Sequence, residues 1–302
     1  MPTKAILVDE PFSDPAWIYE RKLDGIRCIA IKAKRRVRLR SRNDLSLNGR
    51  FPELVEALER DPAEDFAVDG EVVAFEGSRT SFAKLARRAH ERVRVYYYVF
   101  DLVHVAGHDV RRLPLRSRKA LLRRALALRE PVRFTPHRNR DGEAFFHEAC
   151  RKGWEGLIAK RADSTYTSAR SRDWLKFKCS NEQELVIGGY TEPRGSRIEL
   201  GALLFGYYQG GRLRYAGKVG TGFDRRTLRD LGRRLRRLKR ADSPFEDENL
   251  PERETTWVEP ELVAQIGFTE WTRDGRLRHP RFLGLREDKD PREVVREVPR
   301  QA

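Results

Sequence analysis

The sequence predicts an α+β chain of two domains, 1–180 and 181–302, the second a small β-barrel. Three observations lead there. Strand-like and helix-like runs alternate through the first half. Past residue 180 the pattern changes to closely spaced strands. Hydrophobic residues, 39% of the chain, are spread along its whole length. At 302 residues the chain is long for one core and comfortable for two.

In the first half, runs rich in β-branched and aromatic residues predict strands at Trp17–Leu23, Arg27–Ala33, Val68–Phe75, Val93–Leu102, Gly156–Arg161 and Trp174–Cys179. Helical spacing of Phe51, Leu54, Val55 and Leu58 predicts a helix over Phe51–Arg60, with Pro52 in a tolerated first-turn position. A second helix is expected from Ser117, burying Leu121, Leu122 and Leu126. A third is expected from Glu143 to Lys152, stopped by Gly153.

After Ser180, strands are expected at Glu184–Thr191, Gly201–Gln209 and Arg212–Val219, the last two joined by a hairpin turn at Gly210-Gly211. One helix carries Leu228, Leu231, Leu235 and Leu238 on a single stripe. Its other faces are crowded with arginine from Arg225 to Arg240. A short β-rich segment with one helix suits a barrel of the oligonucleotide-binding kind. The charged tail after Asp288 is expected to be mobile.

Composition narrows the partners. Lys and Arg number 62 against 46 Asp and Glu, a formal charge of +16. Such an excess draws polyanions, and nucleic acid is the commonest of these; a solvated basic surface explains it nearly as well. No apolar run approaches the roughly 18–20 residues of a membrane span, and the N-terminus lacks a secretory signal pattern. The three cysteines, Cys28, Cys150 and Cys179, have no metal-ligand spacing. They predict reduced thiols in a cytoplasmic protein.

The chemistry concentrates around Glu20-Arg21-Lys22-Leu23-Asp24-Gly25-Ile26-Arg27, where Lys22 ends a strand and Asp24-Gly25 turns into the next. A lysine attacks phosphorus only as the neutral amine, and neighbouring cations with partial desolvation lower its pKa. Arg27 is apt for that purpose. Taken alone, the octapeptide is equally an ordinary hairpin with a surface lysine.

Its companions shift the balance. Ser41-Arg42-Asn43 ends a strand with a phosphate-binding candidate. Asp69-Gly70-Glu71 is expected to place two carboxylates on a turn into a strand, suited to a sugar hydroxyl or a hard cation. Tyr96-Tyr97-Tyr98-Val99-Phe100-Asp101 offers a platform for a purine. Glu155 opens the strand through Lys160, and Lys176 and Lys178 project from one strand face as a phosphate clamp requires.

In this order the motifs resemble those of the covalent nucleotidyltransferases, which include ATP-dependent DNA ligases, RNA ligases and mRNA capping enzymes. The resemblance implies a nucleotidyltransferase (adenylation) domain with mixed sheets and flanking helices, followed by an OB-fold domain. It implies Lys22 as nucleophile, Arg27 at ribose or phosphate, Glu20 at the adenine amine and Phe100 stacked on adenine. Arg42 would bind the phosphate at a nick, Glu71 the ribose, and Lys176 with Lys178 the α-phosphate. Glu155, with Glu71, would place a divalent metal, Mg²⁺ or Mn²⁺.

Gln183-Glu184-Leu185-Val186-Ile187-Gly188-Gly189-Tyr190-Thr191 resembles the barrel entry of bacterial end-joining ligases. Gly201–Tyr208 and Tyr215–Phe223 continue the likeness. Leu277 to Lys289 looks like the family's last motif, and its Arg286 and Lys289 would reach ATP when the barrel closes. Ala169 departs from the glycine expected before Trp174. No polymerase, phosphoesterase or large N-terminal DNA-binding region accompanies these motifs. The implied partners are ATP, duplex DNA with nicks or joined ends, and a Ku-like end-binding protein, for a monomer free of membranes. An RNA ligase, a capping guanylyltransferase and a non-catalytic nucleic-acid-binding module are the rival readings.

Overall fold

The computed structural model describes residues 2–193, 198–247, 250 and 254–298. They divide into two units, the first reaching Ser180 and the second spanning Asn181–Glu297.

The first unit holds two sheets. In the larger, the path runs Arg36–Ser41, Ile26–Ala33, Asp65–Glu76, Val95–Val105, His108–Asp109. Period-2 alternation makes this sheet two-faced: Ile26, Cys28 and Ala30 are buried, and Arg27 faces the other way. The buried face packs on the helices Pro52–Glu59, Phe82–Ala86 and Leu115–Ala125 through Leu54, Leu58, Phe82, Leu85 and Leu122. The smaller sheet runs Lys4–Leu7, Arg170–Lys178, Gly156–Arg161, Trp17–Arg21, His137–Arg138, and the helix Gly142–Arg151 covers it with Phe145 and Ala149.

Three expectations need correction here. Asp69-Gly70-Glu71 does not form a turn; it lies inside the twelve-residue strand Asp65–Glu76. Gly70 is required there by packing, since a Cβ would stand 2.5 Å from the Tyr97 ring. The helix Leu115–Ala125 buries Leu115, Arg118, Lys119 and Leu122, leaving Leu121 half-buried. Leu122 and Leu126 are buried as expected, and the helix's inner face also carries two cations that were not expected. Cys150 and Cys179 form a disulfide, and only Cys28 is a free thiol among the described residues. These two cysteines stand 29 residues apart, and no local pattern announces the pairing.

In the second unit, six antiparallel strands form one sheet along Arg212–Val219, Leu203–Gln209, Asn181–Thr191, Val263–Phe268, Arg281–Leu285, with Thr255–Trp257 beside Asn181–Thr191. Register shifts near Gly188, Gly206 and Gln265 bend the strands, as barrel closure demands. Gly210 and Gly211 both have positive φ, the backbone of a two-residue hairpin turn. The helix Arg225–Arg237 sets Leu228, Leu231 and Leu235 into this core. The tail after Asp288 is better anchored than expected: Val294 is buried in the same core and its carbonyl accepts the Tyr208 N–H at 2.7 Å. Residues 299–302 lie outside the described residues. No helix among the described residues is long and apolar enough to cross a membrane.

Candidate active site

Lys22 follows the strand Trp17–Arg21, and its N–H donates to the Gly156 carbonyl at 2.9 Å. That bond sets its side chain beside Glu155, whose Oε1 pairs with Lys22 Nζ. Gly156 has to be glycine: its φ is +148° and a Cβ would meet the Phe177 carbonyl at 1.8 Å. Lys176 and Lys178 sit on the next strand, opposite Ile158 and Gly156.

The other sheet supplies the second wall. Arg27 lies opposite Glu71 across the strand pair, and Glu71 lies opposite Tyr98. The register skips Phe100 between the Asp69–Asp101 and Gly70–Val99 pairs, a β-bulge of the kind that re-aims a side chain beside a site. Phe100 lies edge-on to Trp174, with centroids 5.9 Å apart, and the Arg27 guanidinium stands 4.7 Å above its ring. Asp24 closes the turn after Lys22, accepting the Phe82 N–H at 2.7 Å.

Electrostatics at Lys22 differs from expectation. Burial works to lower its pKa, but the carboxylates of Glu155, Asp24 and Glu71 more than offset that, and the net direction is upward. Arg27 is paired instead with Asp69, its Nε and Nη2 donating to the two carboxylate oxygens at 2.5 Å each. Tyr166 donates to the same carboxylate at 2.7 Å. The resting site therefore holds Lys22 as an ammonium.

Glu20 is almost completely buried and pairs with Lys119 at 2.5 Å and Lys160 at 2.6 Å. Burial pushes its pKa up, but the two ammonium groups prevail and hold it below the usual carboxylate range. Lys160 Nζ stands 4.0 Å from the Phe100 centroid and 3.9 Å from that of Trp174. Desolvation brings the pKa of Lys160 to about 8. A fixed carboxylate beside an aromatic platform is what recognition of an amino-bearing purine needs. Lys119, Lys160 and Tyr166 had not been singled out from the sequence. The available signal was a pair of cations, Arg118 and Lys119, on the same inward face of the helix as Leu115 and Leu122.

The structure thus brings together Lys22, Glu20, Arg27, Glu71, Phe100, Glu155, Lys176 and Lys178 within one unit. Arg42 stands just past the outer strand Arg36–Ser41. Arg286 and Lys289 belong to the second unit. Arg286 is bound bidentately by Asp288 at 2.8 and 2.9 Å, and Lys289 pairs with Glu184 at 2.8 Å.

Residues 4–178 match the family described as the ATP dependent DNA ligase domain, and residues 196–289 match its C terminal region. The chain belongs to the ATP-dependent DNA ligases. It is 41% identical to the multifunctional non-homologous end joining protein LigD of Pseudomonas aeruginosa, over 99% of this chain and 36% of that protein. To the LigD of Mycobacterium tuberculosis it is 39% identical, over 93% of this chain and 37% of that protein. The ligase thus spans little more than a third of these relatives. Among solved structures, a mycobacterial DNA ligase D complexed with ATP and MES superimposes with a TM-score of 0.68 at 33% identity, covering 97% of this chain and 98% of that one. The architecture is the family's, a nucleotidyltransferase domain followed by an OB-fold domain.

Proposed function

We propose that the ligase seals 5′-phosphate/3′-hydroxyl nicks in duplex DNA through an AMP carried on Lys22, in repair or end joining. The observation that carries this reading is Lys22 itself, an ammonium held by Glu155 where the clamp strand meets the sheet bearing Arg27, Glu71 and Phe100. Neutral Lys22 attacks the α-phosphorus of ATP, the bond to the β-phosphate oxygen breaks, and pyrophosphate leaves. Glu155 is hydrogen-bonded to Nζ and so placed to accept its proton. AMP then passes to the nick's 5′-phosphate, and the 3′-hydroxyl displaces it. Dividing the condensation in this way lowers each barrier.

A divalent cation, Mg²⁺ or Mn²⁺, fits these residues. Oε2 of Glu155 is buried and takes no hydrogen bond among the described residues. No group of three or more His, Cys, Asp or Glu gathers around an ion among them. Glu155 with Glu71 would therefore hold the ion together with phosphate oxygens and water, the usual manner of Mg²⁺. Such an ion supplies charge neutralisation on the phosphates.

Base recognition falls to Phe100 and Glu20. Phe100→Ala is expected to weaken ATP use by about 1–3 kcal/mol, the usual worth of base–aromatic stacking. The loss should appear in apparent ATP affinity during adduct formation. A variant that unfolds but has normal nucleotide kinetics in its folded fraction would make Phe100 a core residue instead.

The last motif is assigned to the first chemical step. Pyrophosphate is highly charged, and cations aimed at it stabilise its departure. Arg286 also neutralises the buried Asp288, so its removal would disturb the barrel, and Lys289→Ala is the cleaner variant. It is expected to slow Lys22 adduct formation and to spare sealing of a nick supplied already adenylated. Two single-turnover rates decide: an equal fall in both, or a fall in the second alone, contradicts the assignment.

The DNA-repair and end-joining names of the relatives favour DNA over RNA as substrate; a Ku-like end-binding protein is proposed as partner. Adduct formation with ATP against GTP, then sealing of DNA against RNA nicks, tests the substrate.

A further inference from the structure

The helix Arg225–Arg237 has more positive charge than its fold requires. Leu228, Leu231, Gly232 and Leu235 occupy its buried side, and Asp224 caps it by accepting the Thr227 N–H at 2.7 Å. Some of its arginines are tied back to the barrel domain. Asp230 takes Arg233 at 2.6 Å and Arg234 at 3.0 Å, Glu287 takes Arg234 at 2.7 Å, and Glu199 takes Arg236. Arg226, Arg229 and Arg237 are exposed and have no carboxylate partner among the described residues. With Arg233, which stays exposed beside Asp230, they recur at intervals of three and four and so share one solvent stripe.

We infer that the stripe of Arg226, Arg229, Arg233 and Arg237 binds the phosphate backbone of duplex DNA whether or not a nick is present. This rests on the ligase reading for its choice of occupant. At 1.5 Å per residue the stripe is roughly 16 Å long, with about one guanidinium per 5.4 Å turn. A DNA strand offers one phosphate per roughly 3.4 Å, so the stripe runs beside about five. Regularly spaced guanidinium groups match a regular polyanion; an acidic protein surface would need an equally regular row of carboxylates. Contacts to phosphate position a protein without reading bases, so intact and nicked duplex should be held alike. The stripe thus supplies general duplex affinity, separate from the chemistry at Lys22.

The test measures dissociation constants for intact and nicked duplexes of one sequence across a range of salt. The variant Arg226→Gln, Arg229→Gln, Arg237→Gln is compared with Arg234→Gln, Arg236→Gln, which removes acid-paired arginines, and thermal melting checks both folds. The first variant is expected to flatten the log–log salt slope by about 2.7, at about 0.9 per lost phosphate contact, equally on both duplexes. The second should leave the slope unchanged. An Arg226→Lys, Arg229→Lys, Arg237→Lys variant should keep the wild-type slope. An unchanged slope in the first variant overturns the inference, as does an equal flattening in both Gln variants, which would reflect net charge alone. Wild-type adduct formation, measured without DNA, tests the ligase reading separately.

Discussion

Replacing Lys22 with arginine is expected to abolish AMP transfer and nick sealing from ATP while leaving the melting temperature near that of the wild type. Guanidinium remains protonated at any accessible pH and offers no nucleophilic lone pair, yet it preserves the charge that Glu155 faces. The familiar alanine variant is less clean. Lys22 and Glu155 have side chains only 17% and 8% exposed, so Lys22→Ala leaves a nearly buried carboxylate without its cation. A loss of about 1–3 kcal/mol would accompany the chemical defect. The sequence predicts an unchanged melting temperature for that variant, because a strand-end lysine looks solvated until its partner is known. An adduct that forms on Lys22→Arg protein would remove Lys22 from the mechanism.

The second large effect is on stability. Arg118 and Asp101 are both fully buried and joined by two bonds, at 2.7 and 2.9 Å, and Arg118 also donates to the Ser164 carbonyl at 2.8 Å. Arg118→Met strands Asp101 in a dry interior and is expected to cost about 3–5 kcal/mol of unfolding free energy. Arg118→Met with Asp101→Leu should cost clearly less, since a buried pair replaced as a unit leaves no lone charge. Denaturant melts of both variants decide the matter. A single variant within 1 kcal/mol of wild type, or a double variant worse than the single, would show that the pair does not carry this load. Asp101 follows the bulge residue Phe100, so a damaged pair is also expected to weaken ATP use.

What the sequence discloses follows from how local each signal is. Lys22, its Asp-Gly turn, the Glu155-Gly156 step and the Lys176–Lys178 alternation are short patterns with backbone consequences, and the structure places each at the end or on one face of a strand. The hairpin glycines and the stop at Gly153 follow from the same local logic. Long-range pairing is what stayed hidden. The rise in the Lys22 pKa depends on Glu155, 133 residues away, whereas the visible neighbour Arg27 is occupied by Asp69. Lys119 reaches Glu20 across 99 residues, and nothing in its own helix names that partner. Gly70 looked like a turn because glycine serves both turns and close strand contacts, and only the Tyr97 ring tells the two uses apart.

Lys22 is proposed to carry AMP. This is tested most directly by mass spectrometry of the purified wild-type protein after incubation with ATP and Mg²⁺. One AMP per chain is expected, located on the Lys22 peptide, released by pyrophosphate and absent from Lys22→Arg protein. An unmodified chain under conditions where the protein seals nicks, or AMP on any other residue, would contradict it.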